Sequence, residues 1–272
     1  MGVDERIMSA PQSDQPANHS PDEDLEQVQM TVLEHLTELR DRLIKAGLAL
    51  LLGTGISVVF AKQLILFLTR PVEGRGLLAI GPTETIINYF RVALLGGATI
   101  SMPVIIYELL MFVVPGLTKK ERRYLWIVLP GVGISFVAGA AFAYFVMLPA
   151  AIPFLQGFLS DIVEQKWSIE RYINLVTRLL FWVGLSFETP LILAFLARLG
   201  IVSPQKLVSW RRYALVIMAL LAAIITPTVD PVNMLLVMAP LIVLYEIGVV
   251  LSRIAYRPRP GFSSEETVEE RE

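Results

Sequence analysis

Residues 179–199 read LLFWVGLSFETPLILAFLARL, an apolar run long enough to cross a bilayer, with one acidic residue, Glu188, at its centre. Glu188 lies about ten residues, or roughly 15 Å of helix, from either end of the run, near the middle of a ~30 Å hydrocarbon core. An ionisable side chain at that depth costs roughly 2.5–3.5 kcal/mol, which makes it a candidate functional residue. The alternative is a neutral carboxylic acid that hydrogen-bonds between helices and serves packing only.

The composition indicates a membrane protein, because 54% of the 272 residues are hydrophobic, against ~45–50% in soluble domains. The chain has 23 Lys and Arg residues and 25 Asp and Glu residues. It therefore lacks the excess of basic residues that would predict nucleic-acid binding. The absence of Cys and the presence of only two His residues exclude disulfides and metal centres rich in Cys or His. Metalloprotease, serine-hydrolase and P-loop motifs are also missing. We therefore expect no enzyme, no cofactor and no metal site.

Hydropathy predicts an all-α, polytopic membrane protein with six transmembrane helices. The fifth segment is shorter than the ~17 residues that a span needs, but a tight turn containing prolines joins it to the sixth as a helical hairpin. Prolines inside the predicted helices (Pro103, Pro130, Pro190 and Pro240) favour kinks and a curved, glove-like body. The predicted spans are 43–61, 92–114, 125–148, 179–199, 213–226 and 232–251.

Charge predicts the orientation and the ends of the membrane domain. The loops on the side of both termini carry most of the Lys and Arg residues, so both termini should face the cytoplasm. Residues 1–29 are predicted to form a disordered acidic arm, 30–257 the membrane domain, and 258–272 a disordered acidic tail. Glu108 lies close to the cytoplasmic end of the second span, where a long side chain can snorkel to the interface.

Two acidic residues lie among basic ones on the predicted cytoplasmic side. Segment 30–45, MTVLEHLTELRDRLIK, has the apolar spacing of an amphipathic helix and contains Glu38. Loop 115–125, PGLTKKERRYL, places Glu121 between pairs of basic residues. A membrane-surface anchor would account for the first segment, and solvated positive charge for the bases of the second. Solvated positive charge explains the basic residues of the loop but leaves the presence of Glu121 unexplained.

Six motifs stand out along the chain: EHLTELRDRL (34–43), VVPGLTKKERR (113–123), AFAYFVMLP (141–149), VGLSFETPLIL (183–193), ITPTVDP (225–231) and YEIGVVLSR (245–253). In their order and spacing the chain resembles the TatC family, whose members are the multi-spanning receptor subunits of the twin-arginine protein translocase. The resemblance extends from about Thr31 to Arg257. It implies a receptor that binds twin-arginine signal peptides of folded cargo proteins at the cytoplasmic face of a bacterial-type cell (inner) membrane.

The resemblance also implies which residues act. The positions matching signal-peptide binding are Glu38, Glu121, Phe112 and Arg40. The positions matching a polar intramembrane site for partner subunits are Glu188, Thr226, Asp230 and Asn233, and Pro71 matches a sensitive proline of the first outer loop. Two features depart from the family pattern: the hairpin TPTVDPVN (226–233) is one residue longer than the common TPPD form, and Asn233 stands where Gln is often found.

The implied partners are single-span TatA/TatB-type subunits that the chain recruits for Sec-independent export, further copies of the chain, and the lipid bilayer. A rival hypothesis is a proton- or ion-coupled secondary transporter that uses Glu188. It predicts inverted repeats and paired broken helices, and the sequence shows neither. A passive membrane scaffold is a third hypothesis, but it gives Glu38, Glu121 and Glu188 no role.

Overall fold

The structure, a computed structural model, describes residues 21–72, 77–113, 119–157, 167–226 and 230–256; side chains are described in 35–72, 77–112, 128–157, 167–226 and 230–256. Within these ranges the chain is helical, and its β-pairing is confined to one isolated bridge, between Leu78 and Ser168. A 3-10 turn, Arg70–Val72, follows the first helix, and a π-helical turn, Ala143–Met147, joins the third helix to the fourth. The helices are α1 (Pro21–Thr69), α2 (Glu84–Val113), α3 (Lys119–Phe142), α4 (Leu148–Gly157), α5 (Ile169–Ser186), α6 (Thr189–Arg198), α7 (Pro204–Ser209), α8 (Arg211–Ile225) and α9 (Pro231–Ala255).

The predicted all-α membrane fold is confirmed. In the described part of the chain, five helical segments are long and apolar enough to cross a membrane. Helix α8 covers most of the predicted fifth span, but its 15 residues reach only about 22 Å, so its crossing stays a prediction. The five segments are His35–Val72, Glu84–Phe112, Val128–Gly157, Ile169–Arg198 and Pro231–Ala255.

Helix α1 differs from the prediction at its beginning. The amphipathic segment and the first span form one helix of 49 residues, which starts at Pro21, inside the predicted disordered arm. Proline suits the first position of a helix, and the acidic residues that follow, Asp22, Glu23 and Asp24, favour a helix N-terminus electrostatically. The rest of the arm, 1–20, and the predicted tail, 258–272, lie outside the described residues.

Tyrosine hydroxyls anchor the end of α1. The last four carbonyls of a helix lack partners within it, and two of these in α1 accept hydrogen bonds from other elements. Tyr144 in the π-helical turn donates to the Phe67 carbonyl at 2.7 Å, and Tyr172 in α5 donates to the Leu68 carbonyl at 2.7 Å. These bonds let α1 continue to Thr69, beyond the predicted span end at residue 61.

Two groups of buried apolar side chains hold the helices together. One includes Met147, Tyr172 and Val176 and draws on the π-helical turn and helices α4, α5, α8 and α9. The other includes Ile106, Phe136 and Phe195, from α2, α3 and α6. Helix α6 packs along α9. The described span segments therefore enclose two apolar interiors, and a polar group inside them needs an explanation.

The loops that precede α2 and α5 are joined by backbone and side-chain hydrogen bonds. The amide of Leu78 donates to the Trp167 carbonyl at 3.1 Å, and the amide of Ile169 donates to the Leu78 carbonyl at 3.0 Å. The buried Glu84 carboxylate accepts from the amides of Ile80 at 3.1 Å and Gly81 at 2.9 Å. It also accepts from the Ser168 hydroxyl at 3.3 Å.

Replacing Glu84 by methionine should destabilise the protein by about 1–3 kcal/mol, since it leaves these donors without their acceptor. The measurement is the thermal unfolding midpoint in one detergent. Glu170 is the matched control, because it also lies in the first turn of a helix; Glu170→Met should cost only about 0.3–1 kcal/mol through the helix dipole. Equal costs for the two variants would contradict a special role for Glu84.

Candidate functional site

Glu188 lies at a break between two helices. Helix α5 ends at Ser186 and α6 begins at Thr189, with Pro190 in its first turn. Proline has no amide hydrogen and cannot continue the hydrogen-bond ladder. The Ser135 hydroxyl of α3 donates to the Phe187 carbonyl at 2.8 Å and so ties the break to a neighbouring helix. The predicted proline kink is therefore a restart of the helix one residue after Glu188.

The Glu188 side chain is completely enclosed by the protein, with 0% of its surface exposed. Neither carboxyl oxygen makes a hydrogen bond within the described residues, although the backbone of Phe136 lies close enough to interact electrostatically. A buried polar group without a partner costs about 1–3 kcal/mol. One of the two interpretations of Glu188 is a carboxylic acid that links helices by a hydrogen bond. No such bond is present among the described residues.

The polar residues of the α8–α9 hairpin mostly form hydrogen bonds within the hairpin. Asp230 caps α9: its carboxylate accepts from the Asn233 amide at 2.7 Å and from the Asn233 side chain at 2.9 Å. The Thr226 hydroxyl donates to the Ala222 carbonyl at 2.8 Å. The Asn233 side chain is shorter than that of Gln, and in the structure it hydrogen-bonds to Asp230, the residue that caps its own helix.

Thr226 and Asn233 also line a small cavity of about 20 Å³ between α4, α5, α8 and α9, whose other walls are apolar. Glu188 is not among the lining residues. Of the predicted partner-site residues, Thr226 and Asn233 therefore share this cavity, whereas Glu188 lies enclosed at the break between α5 and α6. The further lining residues are Ala151, Leu155, Leu175, Leu179, Ile225, Leu236 and Val237.

The predicted signal-peptide residues lie on three helices. The Glu38 side chain of α1 is 35% exposed and lies 4.0 Å from the His35 ring. Arg40 is exposed and forms an ion pair with Asp41 at 3.0 Å. Phe112 is half-buried at the end of α2, and Glu121 belongs to the first turn of α3, but the Glu121 side chain lies outside the described ones.

One ion pair was not predicted from the sequence. Arg42 of α1 donates to the Glu108 carboxylate of α2 at 3.0 Å, and both side chains are largely buried, with 17% and 11% of their surfaces exposed. Glu108 is therefore held by an arginine of a neighbouring helix, a partner that the snorkelling interpretation did not include. The available signal was that both charges lie at a similar depth, next to predicted span ends. Pro71, in the 3-10 turn after α1, is half-buried.

Comparison with known proteins agrees with this architecture. The family model of the Sec-independent protein translocase protein (TatC) matches residues 34–240. The chain is 39% identical over 233 residues to the chloroplastic Sec-independent protein translocase protein TATC of Arabidopsis thaliana, covering 84% of this chain and 68% of that protein. It is 39% identical over 229 residues to the TatC protein of Desulforapulum autotrophicum, covering 81% and 83%.

A solved structure is also similar. The crystal structure of the twin arginine translocase receptor TatC has a TM-score of 0.72 and 37% sequence identity, covering 82% of this chain and all of that one. The long apolar helices are those of a polytopic helical membrane protein, and the matches place it in the protein-translocation class. The chain belongs to the TatC family of Sec-independent protein translocase components.

Proposed function

We propose that the chain is the receptor subunit of a twin-arginine translocase. It binds twin-arginine signal peptides of folded cargo proteins at the cytoplasmic face of a bacterial-type cell membrane, has both termini in the cytoplasm, and catalyses no reaction. The observation that carries the proposal is the likeness to the twin arginine translocase receptor over the full length of that structure. The secondary-transporter hypothesis has no comparable support.

Charge pairing selects the signal in this proposal. Each arginine of the signal presents a planar fork of donors that a carboxylate accepts through two parallel bonds. Glu38 and Glu121 are the acceptors by family resemblance, and Phe112 and Arg40 complete the site. An exposed ion pair is worth only ~0.2–1 kcal/mol, so burial of the apolar part of the signal must supply most of the affinity. A lysine cannot fork, which explains a preference for arginine.

Partner recruitment uses the intramembrane residues. Single-span subunits of the TatA/TatB type bind at Glu188 and at the hairpin residues Thr226, Asp230 and Asn233, and several copies of the chain assemble in the complex. Because Glu188 is enclosed, a polar side chain of a partner reaches it only when α6 moves away from its neighbours. Pairing two buried polar groups then removes the cost that each has alone.

The signal-binding proposal is tested with peptides that carry Arg-Arg or Lys-Lys, titrated against the purified full chain. The unmodified protein should prefer the Arg-Arg peptide by about tenfold, the ratio expected if two bidentate pairs differ by ~0.7 kcal/mol each from single contacts. Glu38→Gln and Glu121→Gln should each reduce this preference, and the double variant should abolish it. Glu170→Gln is the matched control, since it removes a carboxylate in the first turn of α5, outside the proposed signal-peptide site. Unchanged discrimination in the double variant would reject the proposal.

A further inference from the structure

A cleft outside the sites described above lies between α7 and the end of α9. Its volume is about 470 Å³, and it is lined by Pro204, Gln205, Val208, Arg253 and Tyr256. Three of these side chains carry hydrogen-bond donors: an amide, a guanidinium and a phenol hydroxyl. The cleft has the size range of small-molecule sites.

The walls of the cleft are held in place by specific bonds. The Tyr245 hydroxyl of α9 donates to the Leu207 carbonyl of α7 at 2.8 Å, and Leu207 itself is buried. Just after α7, Arg211 forms an ion pair with Glu246 of α9 at 2.6 Å. Helix α7 is thus fixed to α9 independently of any occupant, and the cleft is preformed.

The cleft carries unbalanced positive charge. Glu246 is the only carboxylate on α7, α8 or α9, and Arg211 already pairs with it. Arg253 is exposed and has neither an ion pair nor a side-chain hydrogen bond to any residue that the structure describes. A guanidinium without a carboxylate partner, placed in a cleft, favours an anion.

The cleft lies at the depth of lipid headgroups. Helix α9 has 25 residues and spans about 37 Å, which exceeds a ~30 Å hydrocarbon core and places its last turn, with Arg253, at the interface. Exposed aromatic residues next to α7, Trp210 and Tyr213, are typical of that interface. The Lys206 ammonium lies 5.9 Å from the Trp210 ring, and the Arg212 guanidinium lies 4.7 Å from the Tyr213 ring.

We propose that the α7–α9 cleft binds the phosphodiester of an anionic membrane phospholipid. The Arg253 guanidinium donates to the two non-bridging phosphate oxygens, and the further lone pairs of the same two oxygens accept from the Tyr256 hydroxyl and the Gln205 amide. The acyl chains lie along the lipid-facing side of α9. The site goes beyond signal-peptide binding, and its test contains no signal peptide. A failure here therefore leaves the receptor proposal untouched.

The test titrates the purified full chain in detergent with short-chain phosphatidylglycerol and counts bound lipid by native mass spectrometry. Arg253→Gln should weaken lipid binding about tenfold, the loss expected for one charge-assisted bidentate contact, and Tyr256→Phe should weaken it about threefold. Arg212→Gln is the matched control, because it removes the same charge at the same interface outside the cleft lining. It should change binding by less than about twofold. The thermal unfolding midpoint of each variant should equal that of the unmodified chain, because the altered side chains are exposed or lie at the cleft surface.

Two further measurements distinguish a lipid phosphodiester from free inorganic phosphate as the ligand of the cleft. Diacylglycerol with the same acyl chains should not bind to the cleft, and inorganic phosphate at the same concentration should not displace the lipid. Equal weakening by Arg253→Gln and Arg212→Gln would overturn the proposal, because it would show general attraction to a basic surface. Displacement by inorganic phosphate would overturn the assignment to a lipid.

Discussion

Replacing Gly97 by alanine should destabilise the protein by about 3 kcal/mol or more, and leucine at this position should prevent folding. A Cβ atom on Gly97 in α2 would lie 2.5 Å from both the amide nitrogen and the Cα of Thr54 in α1. These are backbone atoms, so no rotamer change relieves the overlap, and the two helices must separate. Overpacking typically costs about 1–3 kcal/mol and exceeds this where the backbone must shift.

The matched control for this prediction is Gly47, in the same pair of helices. A Cβ atom on Gly47 meets nothing within 4 Å, so Gly47→Ala should stabilise α1 by about 0.5–1 kcal/mol through lower backbone entropy of the unfolded chain. Thermal unfolding in one detergent measures both variants, and about 2–4 °C are expected per kcal/mol. Gly53 tests the contact from the other side, because its Cβ would lie 2.6 Å from the Gly97 carbonyl oxygen. Equal midpoints for Gly97→Ala and Gly47→Ala would contradict the close contact.

Replacing Glu188 by methionine should stabilise the isolated chain by about 1–3 kcal/mol. The carboxyl is enclosed and its oxygens have no hydrogen-bond partner within the described residues, so its removal recovers the desolvation cost of an unpaired group. Methionine has a similar length and adapts to irregular space, which keeps the change close to volume-neutral. The measurement is the thermal unfolding midpoint of the purified chain.

The control for Glu188→Met is Glu84→Met, which makes the same exchange at a buried carboxylate with three hydrogen bonds and should have the opposite sign. A second measurement concerns the proposed function. Disulfide crosslinking between cysteines introduced along α6 and along a single-span partner should fall strongly in Glu188→Met, although the chain is more stable. A less stable Glu188→Met chain would mean that the carboxyl has a stabilising partner, and unchanged crosslinking would reject its role in recruitment.

Hydropathy and local pattern predicted much of this molecule. Runs of apolar residues predicted the long helices, since burial of a backbone in lipid requires helical hydrogen bonding within each segment. The central position of Glu188 in its run followed from counting residues. The motifs around Glu38, Glu121 and Glu188 indicated the TatC family, which the comparisons bear out. The polar composition of residues 1–29 predicted a disordered arm, whereas Pro21 and the acidic residues after it favour a helix start.

The hydrogen-bond or ion-pair partner of each buried carboxyl depends on residues far away in the chain. Glu84, Glu108 and Glu188 are all acidic and all buried, yet Glu84 accepts from Ser168, Glu108 pairs with Arg42, and Glu188 makes no hydrogen bond to a described residue. Hydropathy and helical periodicity are properties of neighbouring residues, so a single sequence reveals them. The pairing of charges, like the contact of Gly97 with Thr54, depends on which helices pack together, and that is decided only when the whole chain folds.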